Sequence, residues 1–363
     1  MSKLFESFQL GPYQLKSRVV MAPMTRGRAQ ANGTPNPIMA EYYAQRSSAG
    51  LLITEGTFVS AQGVGWVNAP GIYTNEHMEA WKPVTQAVHD KGGRIFVQLW
   101  HMGRVSHPDF QADNALPVGP SAIAAKGESH TPQGKKSYVT PRALDTSELA
   151  GIVKDYAEAA KLAIAAGFDG IELHGANGYL IDQFIRDGSN RRTDEYGGSI
   201  ENRWRFPLEV VDAVIDAIGA ERTAIRFSPT GLYNDMGDSD PVASYTYGAQ
   251  ELAKRKVVYI HVVEPVPGHM MANPDAPEVA SHIRAAYDGV VILNGGFLRE
   301  TSEEALGNER ADAIAFGAVY LANPDLPERL QQNAPLNAPD FATFYTPGPK
   351  GYTDYPSLGD EQA

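Results

Sequence analysis

Two textures alternate along the chain. Short runs that are apolar nearly throughout recur at "RVVMAPM" (18–24), "GLLITEGTF" (50–58), "RIFVQLW" (94–100), "GIELH" (170–174), "TAIRFS" (223–228), "VVYIHVV" (257–263), "GVVILNG" (289–295) and "DAIAFG" (312–317). Runs so short, uniformly apolar and rich in Val and Ile predict strands covered on both faces. Between them lie longer stretches with helical spacing. "NEHMEAWKPVTQAVHDKGG" (75–93) has Glu in its first turn, a tolerable early Pro and glycines at its end. "DTSELAGIVKDYAEAAKLAIAAG" (145–167) opens with Asp145 or Thr146 ahead of Glu148, a capping-box arrangement, and closes on Gly167. "SIENRWRFPLEVVDAVIDAIG" (199–219) ends the same way. Strand–helix units in this order, without an internal break in composition, predict an α/β fold, a closed (β/α)8 TIM barrel, with residues 1–363 as one domain. An open doubly wound sheet is the alternative. Against it, no Gly-x-Gly-x-x-Gly follows the first strand.

Two excursions break the pattern. "LFESFQLGPYQLKSRVV" reads as an N-terminal hairpin turning at Gly11-Pro12, placed to plug the barrel bottom. Residues 102–145 leave the end of the third strand and are rich in Gly, Pro and Ser. A loop that long, starting where barrel active sites are built, predicts a lid.

Composition narrows the function. The 363 residues are 43% apolar and 20% charged, ordinary for a protein with a sizeable core. A net charge of -12 disfavours nucleic-acid and anionic-membrane partners, which such a surface repels. Cysteine is absent, which removes disulfides, thiolate metal sites, iron–sulfur clusters and a cysteine nucleophile. The start, "MSKLFESFQLGPYQL", shows no secretory signal, and runs such as "AIAFGAVYLA" (313–322) are too short to span a bilayer. The expectation is a cytoplasmic protein acting on small molecules, as a monomer or small homo-oligomer.

Catalytic groups of a barrel sit at the carboxyl ends of its strands. Read in order, those ends carry Thr25, Gly56, Gln98 with Trp100, His174 with Asn177, Arg226, Gly295-Gly296 and Gly317. The set is polar and small, and a bound cofactor explains it better than a hydrolytic site does. The stretch "FDGIELHGANGYLIDQF" (168–184) is the densest part. As half a metal site it is poor, because Asn177 is a weak ligand and "HGAN" is not His-Glu-x-x-His. As part of a triad it lacks a nucleophile, with no Gly-x-Ser-x-Gly elbow present. A satisfied core histidine remains the bland reading, although Asn177 and Tyr179 follow His174 at a strand end. As an oxygen clamp it uses all three residues. The imidazole N–H and the amide N–H₂ donate to one oxygen that gains charge, and the Tyr179 phenol, protonated at neutral pH, acts as general acid.

These blocks also carry a family resemblance. The runs "RVVMAPMTR" (18–26), "VQLWHMGRVSHP" (97–108), "HGANGYLIDQFIRDGSNRRTDEYGGSIENR" (174–203), "RFSPTGLYNDMGDSD" (226–240), "VYLANPDLPERL" (319–330) and "GYTDYP" (351–356) resemble the old yellow enzymes, FMN-dependent ene-reductases, over nearly the whole length. The resemblance implies non-covalent FMN at the carboxyl face and NAD(P)H as transient reductant. It implies flavin contacts from Pro23 and Thr25, backbone approach at Gly56, Gln98 on the pyrimidine edge and Arg226 beside N1 and the C2 carbonyl. His174 and Asn177 are then the substrate-oxygen pair, Tyr179 the proton donor, and Trp100 and Tyr345 pocket walls. The implied activity is an NADPH dehydrogenase-type reduction of activated C=C bonds in unsaturated carbonyls and nitroalkenes. It proceeds by ping-pong hydride transfer from flavin N5, with protonation by Tyr179.

Strand alternation puts Glu172 and His174 on one side of their strand, as it does Ala224, Arg226 and Ser228 on the next. Buried charges need partners, so Glu172 is expected to orient Arg226. Two positions depart from the family. Ala318 stands where an arginine usually grips the FMN phosphate, leaving backbone N–H groups around Gly295, Gly296 and Gly317 to hold it. Lys256 stands where a glycine is common before the sixth strand, which demands another cap or a left-handed lysine. Ala318 motivates a rival reading, a weakly flavin-binding or vestigial ligand-binding barrel. Hydroxy-acid oxidation on an FMN barrel is a second rival, disfavoured because Tyr179 supplies a proton rather than removing one.

Overall fold

Strands buried on both faces must be covered on both, and the chain does this by closing on itself. The computed structural model describes residues 2–266, 272–273 and 275–360. Its barrel strands are β1 (Val19–Met21), β2 (Leu51–Phe58), β3 (Ile95–Trp100), β4 (Gly170–Gly175), β5 (Thr223–Phe227), β6 (Tyr259–Val263), β7 (Val290–Asn294) and β8 (Ala313–Phe316). They pair in chain order into a closed barrel, every neighbouring pair parallel, with β8 returning to β1. Each run expected to be a strand is one; 170–174 extends by one residue to Gly175, and the others are trimmed by a residue or more.

The helical stretches follow their capping signals. Asn75–Asp90 starts at Thr74, whose hydroxyl accepts from the His77 N–H at 3.1 Å. Thr146–Ala165 opens on a capping box, and Asp145 rather than Thr146 is the cap; its N–H donates to Glu148 Oε2 at 2.8 Å. Ile200–Ile218 ends at Gly219 (φ 92°). Pro241–Arg255 ends at Lys256 with φ 54°, the left-handed lysine that the missing glycine demanded.

The hairpin forms from Phe8–Leu10 and Tyr13–Leu15, antiparallel about the Gly11-Pro12 turn. Phe8, Leu10 and Leu15 pack on Val20, Ile53, Phe96, Ala224, Tyr259 and Ile292 inside the barrel. The amino end of the barrel is thereby closed with apolar side chains, and chemistry is confined to the other end. The 102–145 excursion carries short strands of its own. Glu128–Thr131 pairs antiparallel with Gly134–Ser137, and Val118–Gly119 lies parallel to Arg142–Ala143. Among the described residues, no helix is long and apolar enough to cross a membrane.

Candidate active site

Above the apolar plug the barrel interior turns polar. Register places Glu172 beside Gln98 and Ala224, and His174 beside Arg226, which lies beside His261. All of these polar side chains are buried. The layer floors a cavity of about 780 Å³ at the carboxyl end of the strands, a size typical of small-molecule sites.

The turn after β4 has a geometry of its own. Asn177 adopts φ 59°, a left-handed conformation uncommon outside glycine, and Gly178 follows at 77°. The turn is tied on both sides. Asn177 N–H donates to Ser228 Oγ at 2.7 Å, Asn234 Nδ2 donates to the Asn177 carbonyl at 2.8 Å, and Gly178 N–H donates to Asp182 Oδ2 at 2.8 Å. Such over-determination holds strained backbone at functional sites. It brings His174, Asn177 and Tyr179 to one cavity wall together.

His174 and Tyr179 meet edge to face with centroids 4.7 Å apart, and Trp100 closes the group at 6.1 Å from His174 and 4.9 Å from Tyr179. Burial pushes the His174 pKa well below the ordinary histidine value, helped by the charge of Arg226 and by His261, so the ring is neutral at pH 7. Its Nδ1 is enclosed without a partner. An enclosed lone pair costs less than an enclosed orphan N–H, which places the proton on Nε2. Burial lifts the Tyr179 phenol well above 10, with Tyr233, Tyr138 and Tyr345 adding to the effect. This phenol keeps its proton across the usual pH range.

The expected cofactor residues separate into two groups. Pro23, Thr25, Gln98, Arg226, Gly295, Gly296 and Gly317 all line the cavity, as do Trp100 and Tyr345. Gly56 does not. It lies under the Trp100 indole, where an added Cβ would come 2.5 Å from Cε3, so this glycine makes room for Trp100. Among the described residues, Arg226 gives one hydrogen bond, from Nη2 to Asn294 Oδ1 at 2.9 Å, and its Nε finds no partner. Glu172 does not pair with it. The carboxylate instead accepts from Gln98 Nε2 (2.8 Å), Tyr259 Oη (3.1 Å) and His261 Nδ1 (2.8 Å). The expected Glu172–Arg226 contact is therefore corrected, because three neutral donors reach the carboxylate first.

A buried guanidinium with most of its donors uncommitted needs acceptors from a ligand. Gln98 spends its N–H₂ on Glu172 and so offers its carbonyl oxygen to a ligand N–H. Apolar walls complete a slot suited to a flat ring with one polar edge, and these residues fit a flavin. The far end is different. Gly295 (φ 151°) and Gly296 (φ 69°) follow β7, and Gly317 with Ala318 follows β8. Loops after strands 7 and 8 are where barrels commonly hold phosphate. Among the described lining residues Arg226 is the one arginine and lysine is absent, while Glu264 lines the same cavity.

Sequence reasoning missed several residues. Asn294 orients Arg226 and donates to the Ala315 carbonyl at 2.8 Å; its signal was a polar residue ending an otherwise apolar strand. Ser228 and Asn234 anchor the Asn177 turn. Trp66 links the rim, 5.1 Å from His130 of the excursion and 5.2 Å from Tyr345. Among the described residues no cluster of three or more His, Asp or Glu is arranged to hold a metal.

Comparison with known proteins gives a consistent picture. The NADH:flavin oxidoreductase / NADH oxidase family matches residues 3–337. The chain is 45% identical to 12-oxophytodienoate reductase 7 of Oryza sativa subsp. japonica, over 99% of this chain and 96% of that protein. It is 46% identical to 12-oxophytodienoate reductase 2 of Arabidopsis thaliana, over 98% and 96%. Among solved structures, the old yellow enzyme homologue of Zymomonas mobilis superposes with a TM-score of 0.96 at 46% identity, covering 98% of this chain and 100% of that one. Morphinone reductase in complex with tetrahydroNAD gives 0.94 at 46% identity, covering 99% of each.

Proposed function

Because the chain belongs to the NADH:flavin oxidoreductase / NADH oxidase family, the old yellow enzymes, whose cofactor is FMN, we propose that it is an NAD(P)H-dependent ene-reductase acting on unsaturated carbonyls and nitroalkenes. FMN, when bound, supplies the relay that accepts hydride from NAD(P)H and passes it to the substrate β-carbon. Gln98 and Arg226 would hold its polar atoms, and Pro23 and Thr25 line the cavity that would receive it. His174 Nε2–H and the Asn177 amide donate to the substrate's activating oxygen, which gains charge as the β-carbon is reduced; preorganised donors aimed at such an oxygen lower the barrier. The Tyr179 O–H delivers a proton to the α-carbon. Trp100, Tyr345 and Trp66 confine the substrate. One cavity used first by NAD(P)H and then by substrate gives ping-pong kinetics.

The observation that supports this reading most directly is the convergence of two oxygen-directed donors and a phenol held protonated by burial on one cavity wall. The test is turnover of 2-cyclohexenone and a nitroalkene by FMN-loaded protein with NADPH or NADH. Saturated product with parallel double-reciprocal lines supports the reading. Protein that takes up FMN and oxidises NADPH but leaves both alkenes untouched contradicts it. A second reading, a barrel that holds flavin weakly, is supported by the lack of lysine or arginine among the described lining residues around Gly317 and Ala318. Protein that stays colourless in excess FMN selects it.

A further inference from the structure

The β4 strand carries a charge that the proposed reaction does not use. Glu172 is fully buried two residues before His174, and among the described residues no lysine or arginine bonds to it. An ionised carboxylate only accepts, and the three bonds it receives come from Gln98 on β3 and from Tyr259 and His261 on β6. Burial holds His261 in its neutral form, below the ordinary histidine value, so its Nδ1–H donates without neutralising the acid. Arg226, a cation of this layer, is on the adjoining strand and donates to Asn294. Burial lowers the Arg226 pKa, and Glu172 is the first charge that acts against this. The two charges thus interact through the barrel interior without touching.

Resting on the reading that this cavity holds a flavin, we infer that Glu172 is a positioning residue. It fixes the Gln98 amide with its oxygen toward the cofactor edge, and its negative charge offsets Arg226, so that the reduced cofactor is held less tightly than Arg226 alone would hold it. The physical reason is simple. Reduction adds electron density to the ring edge that Gln98 and Arg226 face. A guanidinium attracts that density, and a carboxylate two residues behind it in register, in the same low-dielectric interior, repels it. The acid therefore sets how readily the bound cofactor gives up hydride. A purely structural Glu172, present only to satisfy Tyr259, His261 and Gln98, would affect oxidised and reduced forms alike.

The experiment is the midpoint potential of the flavin in wild type and in Glu172→Gln, together with the affinity for oxidised FMN and a thermal melt. The variant keeps the size of the side chain and removes the charge. The expected result is a shift of about tenfold in favour of the reduced form, a rise of roughly 30 mV for a two-electron couple. An unchanged potential, with or without lost stability, overturns the inference. Should Glu172→Gln not fold, the comparison moves to Arg226→Gln against the Arg226→Gln, Glu172→Gln double variant. Removing a buried charge pair is better tolerated than breaking one. The double variant is expected to favour the reduced form about tenfold more than the single one, and equal preference would overturn the inference. If wild type binds no flavin at all, the functional reading fails instead, which a visible spectrum distinguishes.

Discussion

At the scale of single residues, Tyr179 owes its proposed role mainly to burial, which outweighs the opposing hydrogen bond with Asn234. Its neighbours are Trp100 and His174, and desolvation is the main reason its pKa lies well above 10. The acid form is the donor, and it is lost only as pH rises through that elevated value. Alkene reduction is therefore expected to show no decline between pH 8 and about 10, where an exposed tyrosine would titrate. A stopped-flow pH profile checks this, and a fall centred near pH 10 that Tyr179→Phe removes would contradict it. Ala318 makes the second prediction. A charge-assisted bond to phosphate contributes about 1.5–3 kcal/mol. Ala318→Arg is thus expected to tighten FMN roughly tenfold to a hundredfold and leave riboflavin unchanged. Fluorescence titration with both flavins measures it; equal gains for the two would place the phosphate elsewhere.

At the scale of elements, the C-terminal segment depends on buried arginines beside the first strand. Arg28 donates to the carbonyls of Phe344 (2.6 Å), Thr343 (2.9 Å) and Lys350 (3.1 Å), and Arg26 donates to Gly351 (2.6 Å) and Phe344 (3.2 Å). Both side chains are buried. The segment they hold brings Phe341, Phe344 and Tyr345 to the cavity. Arg28→Ala is expected to raise KM for enones several-fold, to leave FMN affinity unchanged, and to make residues 343–350 cleavable by limited proteolysis. Unaltered KM and protease resistance would show that the segment is held by other contacts. The same segment marks the boundary of what the sequence disclosed. Strand runs and caps were legible because period and end signals are local. A loop tethered by guanidinium–carbonyl bonds leaves no periodic trace, so Arg26 and Arg28 read only as part of a motif. Likewise Asn294 and Ser228 act through strands distant in the chain, and Gly56 serves a ring on the neighbouring strand. The Glu172 error has the same origin. Alternation correctly placed the acid inside the barrel, but it could not say which of several interior donors would reach it.

At the scale of the whole molecule, the barrel is layered along its axis. Hairpin side chains and apolar residues of the barrel strands fill the amino end. A polar layer of Gln98, Glu172, Arg226 and His261 follows, and then the cavity, lined at its rim by Trp66 and Tyr345, with His130 of the 102–145 excursion against Trp66. The proposed chemistry turns on His174 and Asn177 polarising the substrate. The most direct measurement is anaerobic reoxidation of the NADPH-reduced protein by 2-cyclohexenone, in wild type and in the His174→Ala, Asn177→Ala double variant. The enone is expected to reoxidise wild type, and the double variant to lose about a hundredfold or more in this rate, as lost oxyanion donors typically cost. A double variant that is reduced by NADPH and then reoxidised by the enone at the wild-type rate would contradict it.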